Sequence, residues 1–302
     1  MEIIVGKTAG FCYGVQNAVS KAEEYVKTNN DRKTYCLGEL VHNKQVTNEL
    51  EEQGLEFIEN VNDISNKGNN TTVIIRAHGE PKSTYEELRK KNITILDLTC
   101  PNVQSIHNVV EKHIKDDYYI LLIGQKDHPE VIGTYGFCDG NCFVIENRDD
   151  IELAYETLIK NKINKVLIVA QTTFSLQKFN EYVEEIKAWC NQNNIILDVK
   201  NTICNATKQR QEETENISKQ VDFMIIIGGK NSSNTKKLFD ISAKNCQKVV
   251  MIETYKDLEN DIDTIITSNS IGIMAGASTP KKSIIGVEEF IKKICSQKIH
   301  EI

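Results

Sequence analysis

The stretch Leu96-Asp97-Leu98-Thr99-Cys100-Pro101-Asn102-Val103 constrains this chain more than any other. An apolar run over 93–98 ends at a cysteine, a proline follows at once, and Val103, Ile106, Val110 and Ile114 then recur at helical spacing. Proline suits the first position of a helix, where its missing N–H would have had no partner. Cys100 is therefore expected where a strand hands over to a helix, beside unpaired N–H groups and a dipole that favour a thiolate. The same order returns twice. Glu2-Ile3-Ile4-Val5 leads through a glycine-bearing turn to Gly10-Phe11-Cys12-Tyr13-Gly14, followed by a helical face of Val15, Ala18, Val19, Ala22, Tyr25 and Val26. The run 195–199 leads to Thr202-Ile203-Cys204-Asn205 and a charged, weakly amphipathic helix. The three cysteines lie too far apart for a CxxC pairing. Their matched settings predict three similar lobes meeting at one point.

Twelve β-rich runs carry this pattern through the chain: 2–5, 33–37, 55–58, 72–76, 93–96, 118–123, 142–145, 165–170, 195–199, 223–227, 248–252 and 271–274. Most are followed by a polar loop and a helical pattern, which predicts an α/β protein with mainly parallel sheets. Grouped by four, they give lobes at 14–100, at 101–203, and at 1–13 joined with 204–302. The first run is then free to serve as the fourth strand of the last group. A chain of 302 residues is also longer than a single core carries comfortably. No Pro-, Gly- or Ser-rich linker separates the groups, so the lobes are expected to pack tightly.

A net charge of −7 argues against a general nucleic-acid binder. The N-terminus shows no basic leader and no run reaches membrane-spanning length, so a cytoplasmic protein is expected. Nine cysteines, an odd number without an export signal, argue against a disulfide framework and leave reduced thiols, metal ligation or packing. Cys36, Cys190, Cys246 and Cys295 read as interior or helix-face residues, and the Cys138–Cys142 spacing reads as turn and strand packing.

In open parallel sheets, ligands gather beyond the carboxyl ends of the strands. The loops there hold Gly38-Glu39-Leu40-Val41-His42-Asn43, Arg76-Ala77-His78-Gly79 and Gly124 to Glu130, which includes His128-Pro129-Glu130. Later ones hold Gln171-Thr172-Thr173, Gly229-Lys230-Asn231-Ser232-Ser233-Asn234 and Ala275-Gly276-Ala277-Ser278. Imidazoles, hydroxyls and glycine-rich helix starts of this kind can cradle a phosphate or diphosphate, although neither GxxxxGK[ST] nor GxGxxG is present. A metal site of three histidines is the competing reading of His42, His78 and His128. Three thiolates can hold zinc or an iron–sulfur cluster. With only three ligands, a cubane cluster would leave one iron open to a substrate oxygen. Glu130, stiffened by Pro129, is a candidate proton relay.

Taken as a set, these loops and the three cysteine segments resemble the LytB (IspH) family of hydroxymethylbutenyl diphosphate reductases, in the family's order from residue 4 to about 281. The resemblance implies a trefoil of three α/β lobes with mainly parallel four-stranded sheets around a [4Fe–4S] cluster, the first residues joining the third lobe's sheet. It implies the last step of the non-mevalonate isoprenoid pathway, in which an allylic hydroxyl is removed by two electrons and two protons. Carried over by position, Cys12, Cys100 and Cys204 would ligate the cluster, leaving one iron open. His42, His78, His128, Ser232, Ser233, Asn234 and Ser278 would bind the diphosphate. Thr172 would contact the substrate hydroxyl and Glu130 would deliver protons. A ferredoxin or flavodoxin is the implied electron donor. Thr279 occupies a variable position, and the C-terminal residues match weakly. The residues by themselves also permit a zinc-dependent hydrolase of a phosphorylated metabolite, or a redox-sensing ligand-binding protein.

Overall fold

A computed structural model describes residues 1–64 and 70–300, the side chains of 297–300 excepted. β1 (Glu2–Val5) and α1 (Tyr13–Thr28) open the chain. Then come β2 (Lys33–Leu37), α2 (Lys44–Glu52), β3 (Glu56–Ile58), β4 (Thr71–Ile75), α3 (Lys82–Lys90) and β5 (Thr94–Asp97). A second series holds α4 (Pro101–Lys115), β6 (Tyr119–Ile123), α5 (Pro129–Tyr135), β7 (Cys142–Ile145), α6 (Asp149–Lys160), β8 (Lys165–Ala170), α7 (Leu176–Gln192) and β9 (Ile196–Val199). The last holds α8 (Asn205–Ser218), β10 (Phe223–Ile227), α9 (Ser233–Asn245), β11 (Lys248–Ile252), α10 (Ile262–Thr267), β12 (Ser270–Ala275) and α11 (Lys281–His300). Every predicted strand is present, and no end has moved by more than one residue.

The strands form three four-stranded sheets, ordered β3-β2-β4-β5, β7-β6-β8-β9 and β11-β10-β12-β1. All neighbours run parallel. The three orders are one order. In each, the chain lays the second strand on one side of the first and the third and fourth on the other. In the last sheet β1 takes the fourth place, with Glu2 beside Ser270 and Val5 beside Ile273. The direction of winding therefore reverses between β2 and β4, between β6 and β8, and between β10 and β12. Loops leaving the carboxyl ends of those pairs flank a crevice that no crossover helix covers. All six loops singled out from the sequence leave these six strands.

Two compact units divide the chain, one of Met1–Gln16, Val41–Asn48 and Asn205–Ile302, the other of Asn17–Leu40 and Glu49–Cys204. Within the first, side chains alternate across β10 and β12. Phe223, Ile225, Ile227, Ile271 and Ile273 pack with Val287 and Ile291 of α11, while Met224, Ile226 and Met274 pack with Ile217 and Leu238 of α8 and α9. The second unit repeats this on β6 and β8, with Leu121, Ile123 and Ile168 on one face and Ile120, Leu122, Leu167 and Val169 on the other. A period of two buried on both faces explains why these strands read as continuous apolar runs.

Candidate functional site

Each of the three cysteines stands immediately before a helix. Cys12 precedes α1, Cys204 precedes α8, and Cys100 is the N-cap of α4, with Pro101 in its first turn. Their backbone N–H groups are fixed in one repeated way. Cys12 N donates to Ala277 O (3.2 Å), Cys100 N to Ala77 O (3.0 Å) and Cys204 N to Thr172 O (3.0 Å). Those carbonyls lie in the loops after β12, β4 and β8, each the neighbour of the strand that leads into the cysteine. The parallel register thus hands each cysteine to a switch-point loop. Cys12, Cys100 and Cys204 are half-buried, whereas Cys36, Cys138, Cys142, Cys190 and Cys246 are buried. Burial pushes the Cys190 thiol up to about 11 and raises that of Cys36 further. A hydrogen bond with Cys138, together with burial, raises Cys142. Such thiols behave as small apolar side chains.

In the second unit, α5 delivers Glu130. Pro129 occupies its first turn, and His128, its N-cap, accepts the Glu130 N–H on Nδ1 at 3.1 Å. An accepting Nδ1 leaves the proton of the neutral ring on Nε2, so His128 presents a donor there. The rings of His128 and His78 meet edge to face, with centroids 5.4 Å apart. Glu130 is 2% exposed. Thr172 N donates to its Oε1 and Thr172 Oγ1 to its Oε2, each at 2.6 Å. Burial pushes the Glu130 carboxyl up to about 7, and the two Thr172 hydrogen bonds oppose that rise. Gln171 braces the same loop, with Oε1 accepting from Gln125 N at 3.1 Å and Nε2 donating to Thr173 Oγ1 at 2.8 Å. Around His78, Arg76 Nε and Glu80 Oε1 pair at 2.8 Å. The Arg76 guanidinium covers Gly38, whose φ of +66° and lack of a Cβ permit the approach.

The first unit gathers His42 with the loops after β10 and β12. Ser278 Oγ donates to His42 O at 3.1 Å. A Cβ on Gly229 would lie 2.5 Å from the same oxygen, so only glycine fits there. Ser232 caps α9 by accepting from Thr235 N at 3.2 Å, which places Ser233 and Asn234 in the first helical turn. Asn234 is 3% exposed, and neither Nδ2 nor Oδ1 has a partner among the described residues. Two buried, unsatisfied polar atoms at a helix N-terminus are costly for the folded state, on the order of 1–3 kcal/mol each. A polar or anionic ligand would satisfy them.

Nothing in the sequence singles out Arg210 and Glu213, because α8 is charged and only weakly amphipathic. Arg210 is buried, with Nε donating to Thr8 O and Nη2 to Gly10 O, each at 2.9 Å. Glu213 accepts from Lys7 N and Thr8 N at 2.8 Å and from Thr8 Oγ1 at 2.5 Å. Burial works against its charge, but these hydrogen bonds hold its carboxyl below the usual range. Together they grip the loop that ends at Cys12. Nor does the sequence single out Asn102, whose Nδ2 lies 3.1 Å from Cys204 Sγ. No sequence signal marks either contact, because both partners are remote in the chain.

Residues 3–292 match the family model described as LytB protein. The chain is 41% identical to the 4-hydroxy-3-methylbut-2-enyl diphosphate reductase of Aquifex aeolicus (strain VF5), over 98% of this chain and 97% of that one. It is 39% identical to the reductase of the same name from Caldanaerobacter subterraneus subsp. tengcongensis, over 99% and 98%. Among solved structures, one described as (E)-4-hydroxy-3-methyl-but-2-enyl diphosphate reductase, the terminal enzyme of the non-mevalonate pathway, superposes with a TM-score of 0.69. That match has 40% identity and covers 97% of this chain and all of the other. The E-1-hydroxy-2-methyl-but-2-enyl-4-diphosphate reductase of Plasmodium falciparum superposes with a TM-score of 0.83 at 32% identity, over 97% and 87%.

Proposed function

The chain belongs to the LytB family, and on that premise we propose that it reduces (E)-4-hydroxy-3-methylbut-2-enyl diphosphate to isopentenyl and dimethylallyl diphosphates, the last step of the non-mevalonate isoprenoid pathway. The observation that carries the proposal is the triple cysteine tether, in which one N–H···O bond fixes each of Cys12, Cys100 and Cys204 to a switch-point loop. Three half-buried thiols at helix starts are a donor set that fits an iron–sulfur cluster, whose irons take thiolates. Cys12, Cys100 and Cys204 would hold a [4Fe–4S] cluster with one iron left open, and when bound it supplies the electrons and a Lewis acid for the substrate oxygen. A small ferredoxin or flavodoxin would be the donor. Each sheet with its helices would form one lobe, at 14–100, at 101–203, and at 1–13 with 204–302. No described helix is long and apolar enough to cross a membrane, and a cytoplasmic location fits the substrate.

The rest follows from side chains. His42, His78, His128, Ser232, Ser233, Asn234 and Ser278 would bind the diphosphate, and the Nε2–H of His128 and the unsatisfied Asn234 amide are suited to it. Breaking the allylic C–O bond requires a proton on the departing oxygen, since water leaves far more readily than hydroxide. Glu130, with its carboxyl raised to about 7, is protonated in roughly half of the molecules at neutral pH and can supply that proton. Thr172 Oγ1, 2.6 Å from Glu130, would hold the substrate hydroxyl and pass the proton on. Two electrons and two protons balance the reaction, one proton leaving in water and the other going to the allylic carbon.

Anaerobic purification tests the reading. A brown protein that bleaches with dithionite is expected, with iron lost from Cys12→Ser, Cys100→Ser and Cys204→Ser but kept in Cys138→Ser and Cys246→Ser. Colourless protein with stoichiometric zinc, even from iron-replete cells, would assign the site to a zinc-dependent hydrolase. A loaded protein that leaves the allylic diphosphate untouched when reductant is in excess would favour a redox sensor.

A further inference from the structure

We infer that Asn102 tunes the reduction potential of the proposed cluster through a hydrogen bond to the sulfur of Cys204, an inference that rests on the ligand set above. Asn102 is the second residue of α4, one place beyond Pro101, so the strand–Cys–Pro–helix junction at Cys100 fixes its backbone. Its Nδ2 reaches Cys204 Sγ at 3.1 Å, across 102 residues of sequence. This is its one side-chain hydrogen bond among the described residues. The helix that begins at one candidate ligand therefore carries a donor aimed at another.

An exposed asparagine near a helix start usually serves the backbone, by capping or an Asx turn. Here Cys100 holds the N-cap position, and the Asn102 amide turns to sulfur instead. A thiolate bound to iron keeps lone pairs that can accept an N–H. Such a bond stabilises negative charge on sulfur, and the reduced cluster carries one more negative charge than the oxidised one. The donor therefore favours the reduced form and raises the potential, one of the known levers on iron–sulfur sites.

Potentiometric titration of the loaded protein, followed by the visible and electron paramagnetic resonance signals, tests this. Asn102→Leu removes the donor at similar volume. Asn102→Asp keeps the shape, puts an anionic oxygen against the sulfur, and still suits a helix start. At a fixed poise the reduced-to-oxidised ratio should fall about tenfold in Asn102→Leu, about 59 mV for a one-electron couple. It should fall further in Asn102→Asp, at unchanged iron content. Gln104→Leu, at the next exposed position of α4, should leave the potential alone. Potentials equal to wild type in both fully loaded Asn102 variants would overturn the inference. Loss of the cluster from both would also overturn it, by making Asn102 a structural residue. A wild-type protein that takes up no cluster would instead overturn the proposed function.

Discussion

Thr172 closes both oxygens of Glu130, its N–H on Oε1 and its hydroxyl on Oε2, each at 2.6 Å. The same residue's carbonyl holds Cys204 N at 3.0 Å. While Glu130 is ionised, both of its oxygens accept. Once it takes a proton, its O–H becomes a donor and the Thr172 hydroxyl must turn to accept it, freeing its own hydrogen for a third group. One rotation of a hydroxyl thus couples the acid to whatever sits beyond Thr172.

Glu130→Gln keeps the shape but cannot ionise. Turnover should drop by roughly two to four orders of magnitude, the usual contribution of a positioned acid. Iron content should remain normal, and bound substrate should keep its hydroxyl. In the wild type the acid works protonated, so kcat/KM should decline as pH rises through about 7, where the carboxyl ionises. Turnover of Glu130→Gln within a few-fold of wild type, with reductant in excess, would move the proton source to Thr172 and a water.

Two buried groups should bend the stability of the apoprotein in opposite directions. The Glu130 carboxyl is raised to about 7, so the folded chain keeps a proton that the unfolded chain releases. Its contribution is full at low pH and is lost as pH rises to about 7, on the order of 3 kcal/mol. His107 is buried against Phe137, with ring centroids 4.1 Å apart, and burial lowers it to about 4. It must stay neutral, so stability is lost as pH falls from 6.5 to about 4. The two windows overlap and their slopes oppose each other, so between pH 4.5 and 6.5 urea midpoints should rise with pH in Glu130→Gln, where only the His107 slope is left, and fall with pH in His107→Phe, where only the Glu130 slope is left. An unchanged profile in either variant would refute that assignment.

Asn234 sets binding against stability. Asn234→Leu removes two buried, unsatisfied polar atoms, so the apoprotein should gain about 1 kcal/mol or more. Calorimetry with inorganic diphosphate should show weaker binding by about 1.5–3 kcal/mol, the range of a hydrogen bond to a charged group. If the variant is destabilised and binds normally, the amide serves the fold and not a ligand.

The grip of α8 on the loop before Cys12 makes its own prediction. Arg210→Met removes two guanidinium hydrogen bonds to Thr8 O and Gly10 O. Hydrogen exchange at Lys7 and Thr8, whose N–H groups bond Glu213, should accelerate at least tenfold. Cluster loading should fall while exchange in β6 and β8 stays at its wild-type rate. Arg210→Lys, retaining one donor, should recover part of the loading. Uniform acceleration throughout the chain would mean that Arg210 supports the fold at large.

Arrangements made by near neighbours were legible in the residues. A short continuous apolar run such as Ile225-Ile226-Ile227 or Leu121-Leu122-Ile123, followed by a polar loop, fits a strand buried on both faces, and all twelve strands lie within one residue of their predicted ends. Pro101 marks the start of α4 because only a helix start tolerates its missing N–H, and that placed Cys100 at the N-cap. The loops carrying His42, His78, His128, Ser232 and Ser278 could be chosen because polar and glycine residues after an apolar run have few other uses in a parallel sheet.

The tertiary structure alone decided what depends on distance across the fold. Parallel pairing of β1 with β12 gives the first residues of the chain the last place in a sheet. In the sequence Glu130 is marked only by its place after His128-Pro129; the packing of α5 leaves it 2% exposed, and that desolvation, not the residue type, lifts its carboxyl to about 7. Asn102 meets Cys204, and Arg210 meets Thr8 and Gly10, across 102, 202 and 200 residues of sequence. Periodicity and helix-start chemistry act over a few residues and can be read in order. Burial, and the partners a donor finds, are properties of the assembled molecule.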